Sequence, residues 1–223
     1  LGFRINSAAD NPAGLVISEQ MRSRIASLNQ EIENTSTMID KYETADANVQ
    51  QLRSALTEIR SLAVGAANAG VNNETSREAY QSEADYLVQT YNDTVDNASF
   101  GTQKLLDGSE ESLTTIPKLS NYDLSSAEGA EKTIKAIDEE TARIDRAMAD
   151  LGATQKNSLE THMTNLQVEA QNLTAAESQI RDTDYIREYA NLIKNQLIIQ
   201  SAMSILSHSS ITGRSVVNLL SQE

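Results

Sequence analysis

The residues that could do chemistry are few and scattered along the chain. The histidines, His162 and His208, fall on separate segments, and His162 has no H-E-x-x-H neighbourhood to make it a metal ligand. With no cysteine, there can be no thiol nucleophile, disulfide or Cys-based zinc site. Glu139-Glu140 is a candidate carboxylate pair, but Arg143 follows Glu139 at i,i+4. The pattern therefore reads as a solvated helix face with an ordinary ion pair worth about a few tenths of a kcal/mol. Asp182 and Asp184 suggest a calcium loop until the later positions are checked. The sixth is Arg187 and the twelfth Ile193, where such a loop needs Gly and Glu. No G-x-S-x-G, P-loop or Rossmann fingerprint is present. A catalytic site needs polar groups converging in a pocket, so neither an enzyme nor a metal or cofactor site is expected.

The elements are more informative than the chemistry. Met21, Leu28, Thr35, Tyr42, Val49, Leu56 and Ala63 recur at intervals of seven, interleaved with Ile25, Ile32 and Ile39 and, after a slip of one residue, with Ala45, Leu52, Ile59 and Ala66. This is the seam of a long coiled-coil helix, predicted over 12–68 and roughly 85 Å long at 1.5 Å per residue. Asp10 or Asn11 can cap it, and Pro12 suits its first turn. Gly65–Glu74 is read as a reversal. A second helix over 76–97 carries Tyr80, Ala84, Leu87, Tyr91 and Val95 on one face, so it should run back along the first. Periodicity is lost over 98–126, where Phe100-Gly101, Asp107-Gly108 and Pro117 punctuate short runs that suit a β-hairpin and loop.

A third long helix is predicted over 128–180 as the missing partner of the first seam. Ile137, Ile144 and Leu151 repeat at seven, as do Leu159, Leu166, Leu173 and Ile180, with one extra residue between the two sets. Gly152, beside the slip, leaves two readings open: a kink or close approach, and a tolerated glycine. Arg181–Tyr185 breaks the pattern as a hinge, with Asp184 capping a final helix. That helix, with Tyr185, Tyr189, Leu192, Ile193, Ile199, Met203 and Leu206, then Val216, Leu219 and Leu220, is too apolar to be left bare in water. Something is expected to pack against it, and the sequence leaves open which partner that is. The fold class is therefore mainly α. It is predicted as an elongated antiparallel rod of coiled-coil-like helices over 1–180 with a small hairpin region, then a hinge and C-terminal assembly helix over 181–223.

Aromatics are only 4% of the chain and tryptophan is absent, so the core must be aliphatic and alanine-rich. A net charge of −14, with Lys and Arg scattered among carboxylates, argues against nucleic acid or an anionic membrane as partner. There is no apolar run long enough to span a bilayer and no secretory signal pattern. Asn92-Asp93-Thr94 and Asn172-Leu173-Thr174 accordingly carry little weight as glycosylation signals.

Several stretches resemble one family. Arg4-Ile5-Asn6-Ser7-Ala8-Ala9-Asp10, continuing to Ala13-Gly14-Leu15, is similar to the conserved N-terminal segment of bacterial flagellins. Ile59-Arg60-Ser61-Leu62-Ala63-Val64 with Ala67-Asn68, Lys104-Leu105-Leu106-Asp107-Gly108, Leu151-Gly152-Ala153 with Gln155, and Asn172-Leu173-Thr174-Ala175-Ala176 resemble further flagellin patterns, in the right order. Asp182-Thr183-Asp184-Tyr185 looks like the family's hinge. Two departures are Gly101-Thr102, where the family commonly has Asn-Gly, and Gly213, where many members have Pro.

The resemblance implies a structural subunit that is exported unfolded through the flagellar channel and self-assembles outside the cell into the filament used for motility. It implies other flagellin subunits as partners, with hook-associated and cap proteins, and an export chaperone holding the C-terminal segment in the cytosol. The ten apolar residues named on the C-terminal helix would then be the assembly or chaperone surface. The chain begins inside the N-terminal motif, so the family's preceding helix is expected to be missing from this stretch. The family is also recognised by an innate immune receptor, and Arg60, Leu62 and Glu83 match that surface. Glu58 stands where well-recognised flagellins tend to carry Arg, which puts the match in doubt. A hook–filament junction protein and an unrelated coiled-coil adaptor are the alternatives.

Overall fold

The computed structural model describes residues 2–68, 70, 72–109 and 112–220, with side chains as far as residue 209. It is 78% helical, as the heptads require of a mainly-α chain. In order come α1 (Pro12–Ala67), α2 (Glu74–Asn97), β1 (Ser99–Phe100), β2 (Gln103–Lys104), α3 (Ala127–Thr154), a π-helical turn (Gln155–Glu160), α4 (Thr161–Arg181) and α5 (Tyr185–Leu220). Two compact units emerge: Leu1–Ile25 with Gln171–Glu223, and Ala26–Ala170.

Helix starts follow the capping signals. Asn11 Oδ1 accepts the Gly14 amide at 3.0 Å, so Asn11 is the cap of α1. Asp10 instead accepts from the amides of Asn6 and Ser7, which holds its carboxyl below the usual range and fixes the loop entering the helix. Asn73 caps α2 through the Ser76 amide, and Ser126 caps α3 through the Gly129 amide.

The 26–170 unit is a bundle whose core is the predicted seam. Ala45, Val49, Leu52, Leu56 and Ile59 of α1 pack with Val88, Tyr91 and Val95 of α2, Ile137, Ile144 and Leu151 of α3, and Leu105, Leu106 and Ile116 from the hairpin region. A second cluster is built from Ala63, Ala66, Ala84 and Ala130 around Leu124, and its small side chains let the helices approach closely. Polar flanks fix the antiparallel register. Arg60 Nε reaches Asp138 at 2.6 Å, and seven residues back along α1, Arg53 reaches Asp145, seven residues on along α3, at 2.7 Å. Further along, Gln155 reaches Glu43. One pair per heptad is how a coiled coil selects alignment.

Strands β1 and β2 pair antiparallel with Ser99 opposite Lys104 and Phe100 opposite Gln103. The two-residue loop has positive φ only at Gly101 (61°), the pattern of a type II′ turn. Gly101-Thr102 is thus a different solution from Asn-Gly, which would place both central residues at positive φ. The following loop is clamped to α2 by Asn92, whose amide donates to Leu119 O and whose carbonyl accepts from Leu119 N. That use of the Asn92 amide is inconsistent with its serving as a glycan acceptor.

One open reading is decided here, for Gly152 as a tolerated glycine, and one expectation, for Glu140, is corrected. Gly152 is exposed, and a Cβ added to it would meet nothing within 4 Å, so it marks no close approach; the irregularity is the π-turn beginning at Gln155. Glu140 is not on a solvated face. It is buried to 8% exposure, and Arg143 approaches Glu140 at 3.8 Å instead of pairing with Glu139.

Gly129 does require its missing side chain. A Cβ there would lie 2.4 Å from Asp123 Oδ2 and 2.8 Å from Asp123 O. Asp123 cannot retreat readily, because its amide donates to the buried Thr133 hydroxyl at 2.8 Å and its carbonyl accepts from that hydroxyl at 3.2 Å. Gly129→Ala should destabilise the bundle by roughly 1–3 kcal/mol. Thermal melting checks this, and an unchanged midpoint would contradict the packing described.

Candidate assembly surface

The hinge is built from both ends of the chain. Phe3 and Asp182 form an antiparallel bridge, flanked by hydrogen bonds from Arg4 N to Arg181 O at 2.7 Å and from Thr183 N to Gly2 O at 3.0 Å. Arg4 also donates to Ile180 O at 2.8 Å, which satisfies a carbonyl at the end of α4. Arg181 ties these pieces together. Its guanidinium lies 4.9 Å from the Phe3 ring centroid and donates to Glu19 Oε1 of α1 at 2.9 Å. Asp182 accepts from the Ser178 hydroxyl, which ties the hinge to the end of α4. Asp184 Oδ1 accepts the Arg187 amide at 3.1 Å and caps α5, as its position predicts.

From that cap to Ser209 the chain is bare. Every residue from Asp184 to Ser209 is exposed. The values include 69% for Tyr185, 65% for Tyr189, 51% for Leu192, 42% for Ile193, 59% for Ile199, 66% for Met203 and 69% for Leu206. The expectation that something packs against this helix is met by no described residue of the chain itself. The reason lies in its sequence. Tyr185, Tyr189, Leu192, Ile199, Met203 and Leu206 mark one side. Ile186, Ile193 and Leu197 lie about 120° round from it, and Ile198 and Ile205 about 240° round. A helix apolar on all sides is a buried helix, and no single intrachain face could cover it. Val216, Leu219 and Leu220 fall within α5, but their side chains lie outside the described residues.

The other expected positions are in the bundle unit. Arg60 is bidentate to Asp138, at 2.6 and 3.4 Å, and holds that carboxyl below the usual carboxylate range. Leu62 is half-buried against the alanine cluster, and Glu83 is exposed on α2. His162 is exposed on α4 and His208 is exposed on α5. Among the described residues, no group of three or more His, Cys, Asp or Glu side chains could hold a metal ion. No described helix is long and apolar enough to cross a membrane.

Comparison with known proteins places the chain in a family. Residues 2–111 match the bacterial flagellin N-terminal helical region and residues 134–220 the bacterial flagellin C-terminal helical region. The chain is 32% identical over 241 residues to a flagellin of Halalkalibacterium halodurans, covering 98% of this chain and 88% of that one. It is 31% identical over 255 residues to flagellin FlaB2 of Treponema pallidum, with the same coverages. The crystal structure of Bacillus cereus flagellin superposes with a TM-score of 0.53 at 21% identity, over 65% of this chain and 94% of that one, and so shares the fold. With both terminal regions matched in order and full-length relatives aligned along nearly its whole length, the chain belongs to the bacterial flagellin family.

Proposed function

We propose that α5 is the surface through which this flagellin enters the flagellar filament, with neighbouring copies covering its apolar sides. The observation that carries this reading is the exposure of Tyr185, Tyr189, Leu192, Ile193, Ile199, Met203 and Leu206, which no described residue of the chain covers. Contacts between identical subunits that do not close on themselves generate a helical polymer, and the protein's role is structural rather than enzymatic. Before export the same apolar surface is the segment for a cytosolic chaperone to shield. Outside the cell, hook-associated and cap proteins meet the subunit at the filament ends.

The test is light scattering after the protein is added to sheared filament seeds. Seed elongation is the expected result. Capping of the seeds without growth would point to a hook–filament junction protein, and no interaction would point to a coiled-coil adaptor. The receptor surface at Arg60, Leu62 and Glu83 is a separate proposal. It rests on position alone, and Arg60 can reach a receptor only by giving up Asp138. Receptor activation unaffected by Arg60→Ala would remove Arg60 from that surface.

A further inference from the structure

With no cysteine in the chain, the thioethers of methionine are the sulfur sites at which an oxidant can act. They are placed unevenly. Of the five methionines, Met21, Met148 and Met163 are half-buried, and Met148 packs against the bundle core. Met38 on α1 is 50% exposed and Met203 on α5 is 66% exposed, so these two sulfurs are the most open to solvent. Their surroundings differ. Met38 belongs to the bundle unit, where it precedes the buried seam residue Ile39. Met203 belongs to the apolar row of α5, four residues after Ile199 and three before Leu206, and the three share one side of the helix.

We propose that Met203 is an oxidation site that governs entry into the filament. A hydroperoxide, hydrogen peroxide in the simplest case, converts it in the unassembled subunit to the sulfoxide, and the oxidised subunit is excluded from growth. This rests on α5 being the surface that neighbouring copies cover. The sulfur lone pair takes one oxygen of the peroxide: an S–O bond forms, the O–O bond breaks, and the hydrogen on the transferred oxygen passes to the departing one, which leaves as water. Sulfur is oxidised by two electrons and the peroxide is reduced by two.

The product is a polar side chain where a flexible apolar one stood. On the exposed helix its oxygen is hydrated, so the free subunit tolerates it. Under a neighbouring copy the oxygen loses that water, and burying a polar group without a partner is unfavourable. The order of events then sets the outcome. Before assembly the sulfur is open to the oxidant, whereas neighbours that cover the side shared by Ile199, Met203 and Leu206 shield it. Oxidation therefore acts on free subunits and spares filament already built. Met38 supplies an internal comparison, because it is accessible in the same subunit and does not lie on α5.

The experiment treats the soluble full chain with graded hydrogen peroxide, removes the oxidant with catalase and locates the sulfoxides by peptide mass spectrometry. The critical concentration for growth from filament seeds is then measured. Growth should fall in step with the Met203 sulfoxide fraction and not with the Met38 fraction. Subunits oxidised at Met203 should show a critical concentration raised about tenfold to a hundredfold. Met38→Leu should lose growth at the same peroxide dose as the parent, and Met203→Leu, compared with its own untreated sample, should show no further rise. Methionine sulfoxide reductases should restore the parent's growth. In preformed filaments Met203 should react more slowly, relative to Met38, than in the soluble chain. Unchanged growth of subunits carrying Met203 sulfoxide overturns the proposal, as does a peroxide-induced loss in Met203→Leu equal to the parent's. If untreated Met203→Leu does not grow, the parent's dose series decides. Leu192→Glu combined with Ile199→Glu separates this proposal from the reading beneath it. If that variant fails to grow while Met203 sulfoxide is harmless, α5 remains the assembly surface and only the oxidation site falls; if both grow like the parent, α5 is not the surface.

Discussion

Replacing Leu192 and Ile199 together with Glu should abolish filament growth at concentrations where the parent elongates seeds, raising the critical concentration by about a thousandfold or more. The two side chains share one side of α5 and are 51% and 59% exposed. Burying what remains of each contributes about 1 kcal/mol or more, and forcing an unpaired carboxylate into the same contact costs several more. Because Leu192 and Ile199 are exposed and lie outside the 26–170 unit, the same variant should keep the helicity and melting point of that bundle. That separates an assembly defect from a folding defect. The same pair of changes at Ile198 and Ile205, on another side of the helix, measures how many neighbours cover it. Loss of growth there too means burial by more than one copy, whereas undiminished growth means a single helix–helix contact. Growth of the first variant within tenfold of the parent would remove α5 from the assembly surface.

The bundle was legible in the sequence because a heptad seam encodes both the helix and its buried side. Leu28, Thr35, Val49, Leu56 and Ala63, with Ala45, Leu52, Ile59 and Ala66, were expected on the seam and are all buried. The caps were legible for the same local reason, although Asp10 and Asn11 divide tasks that either could have done alone. The apolarity of α5 and its need for a cover were legible, but what covers it was not, because composition states what a helix needs and not which molecule supplies it. Glu140 was misread for an instructive reason. Pairing it with Glu139 suggested a charged outer face, whereas counting three residues from Ile137 places it on the seam with Ala147. The residue type overrode the periodicity, and the periodicity was the better guide. The receptor positions had no such internal check. Nothing in the spacing of Arg60 foretells that Asp138 occupies it, since the partner lies on a helix far along the chain.

Deleting Ser158 should leave the bundle folded, while deleting Ala142 should unfold it. Both are exposed residues within continuous helical backbone, so neither deletion removes a core contact directly. They differ in what they do to phase. Leu159 follows Leu151 by eight residues, which in an unbroken α-helix places it about 80° off the seam. The π-turn at Gln155–Glu160 lies in that interval, and such a turn absorbs one extra residue. Leu166 is consequently buried at 5% exposure and Leu159 half-buried. Removing Ser158 restores a spacing of seven and lets plain α-helix replace the π-turn, with the flanking seams still in phase. The expected change in stability is within about 1 kcal/mol. Removing Ala142 rotates the following residues by about 100° against the preceding ones. Ile144, Ala147 and Leu151 leave the core, and losing the two larger side chains alone costs roughly 3–6 kcal/mol, a large part of a domain's usual stability. Circular dichroism melts of the two deletions decide the matter. If they destabilise equally, the eight-residue spacing is not a tolerated insertion, and the π-turn must be held in place by something other than the phase of the seam.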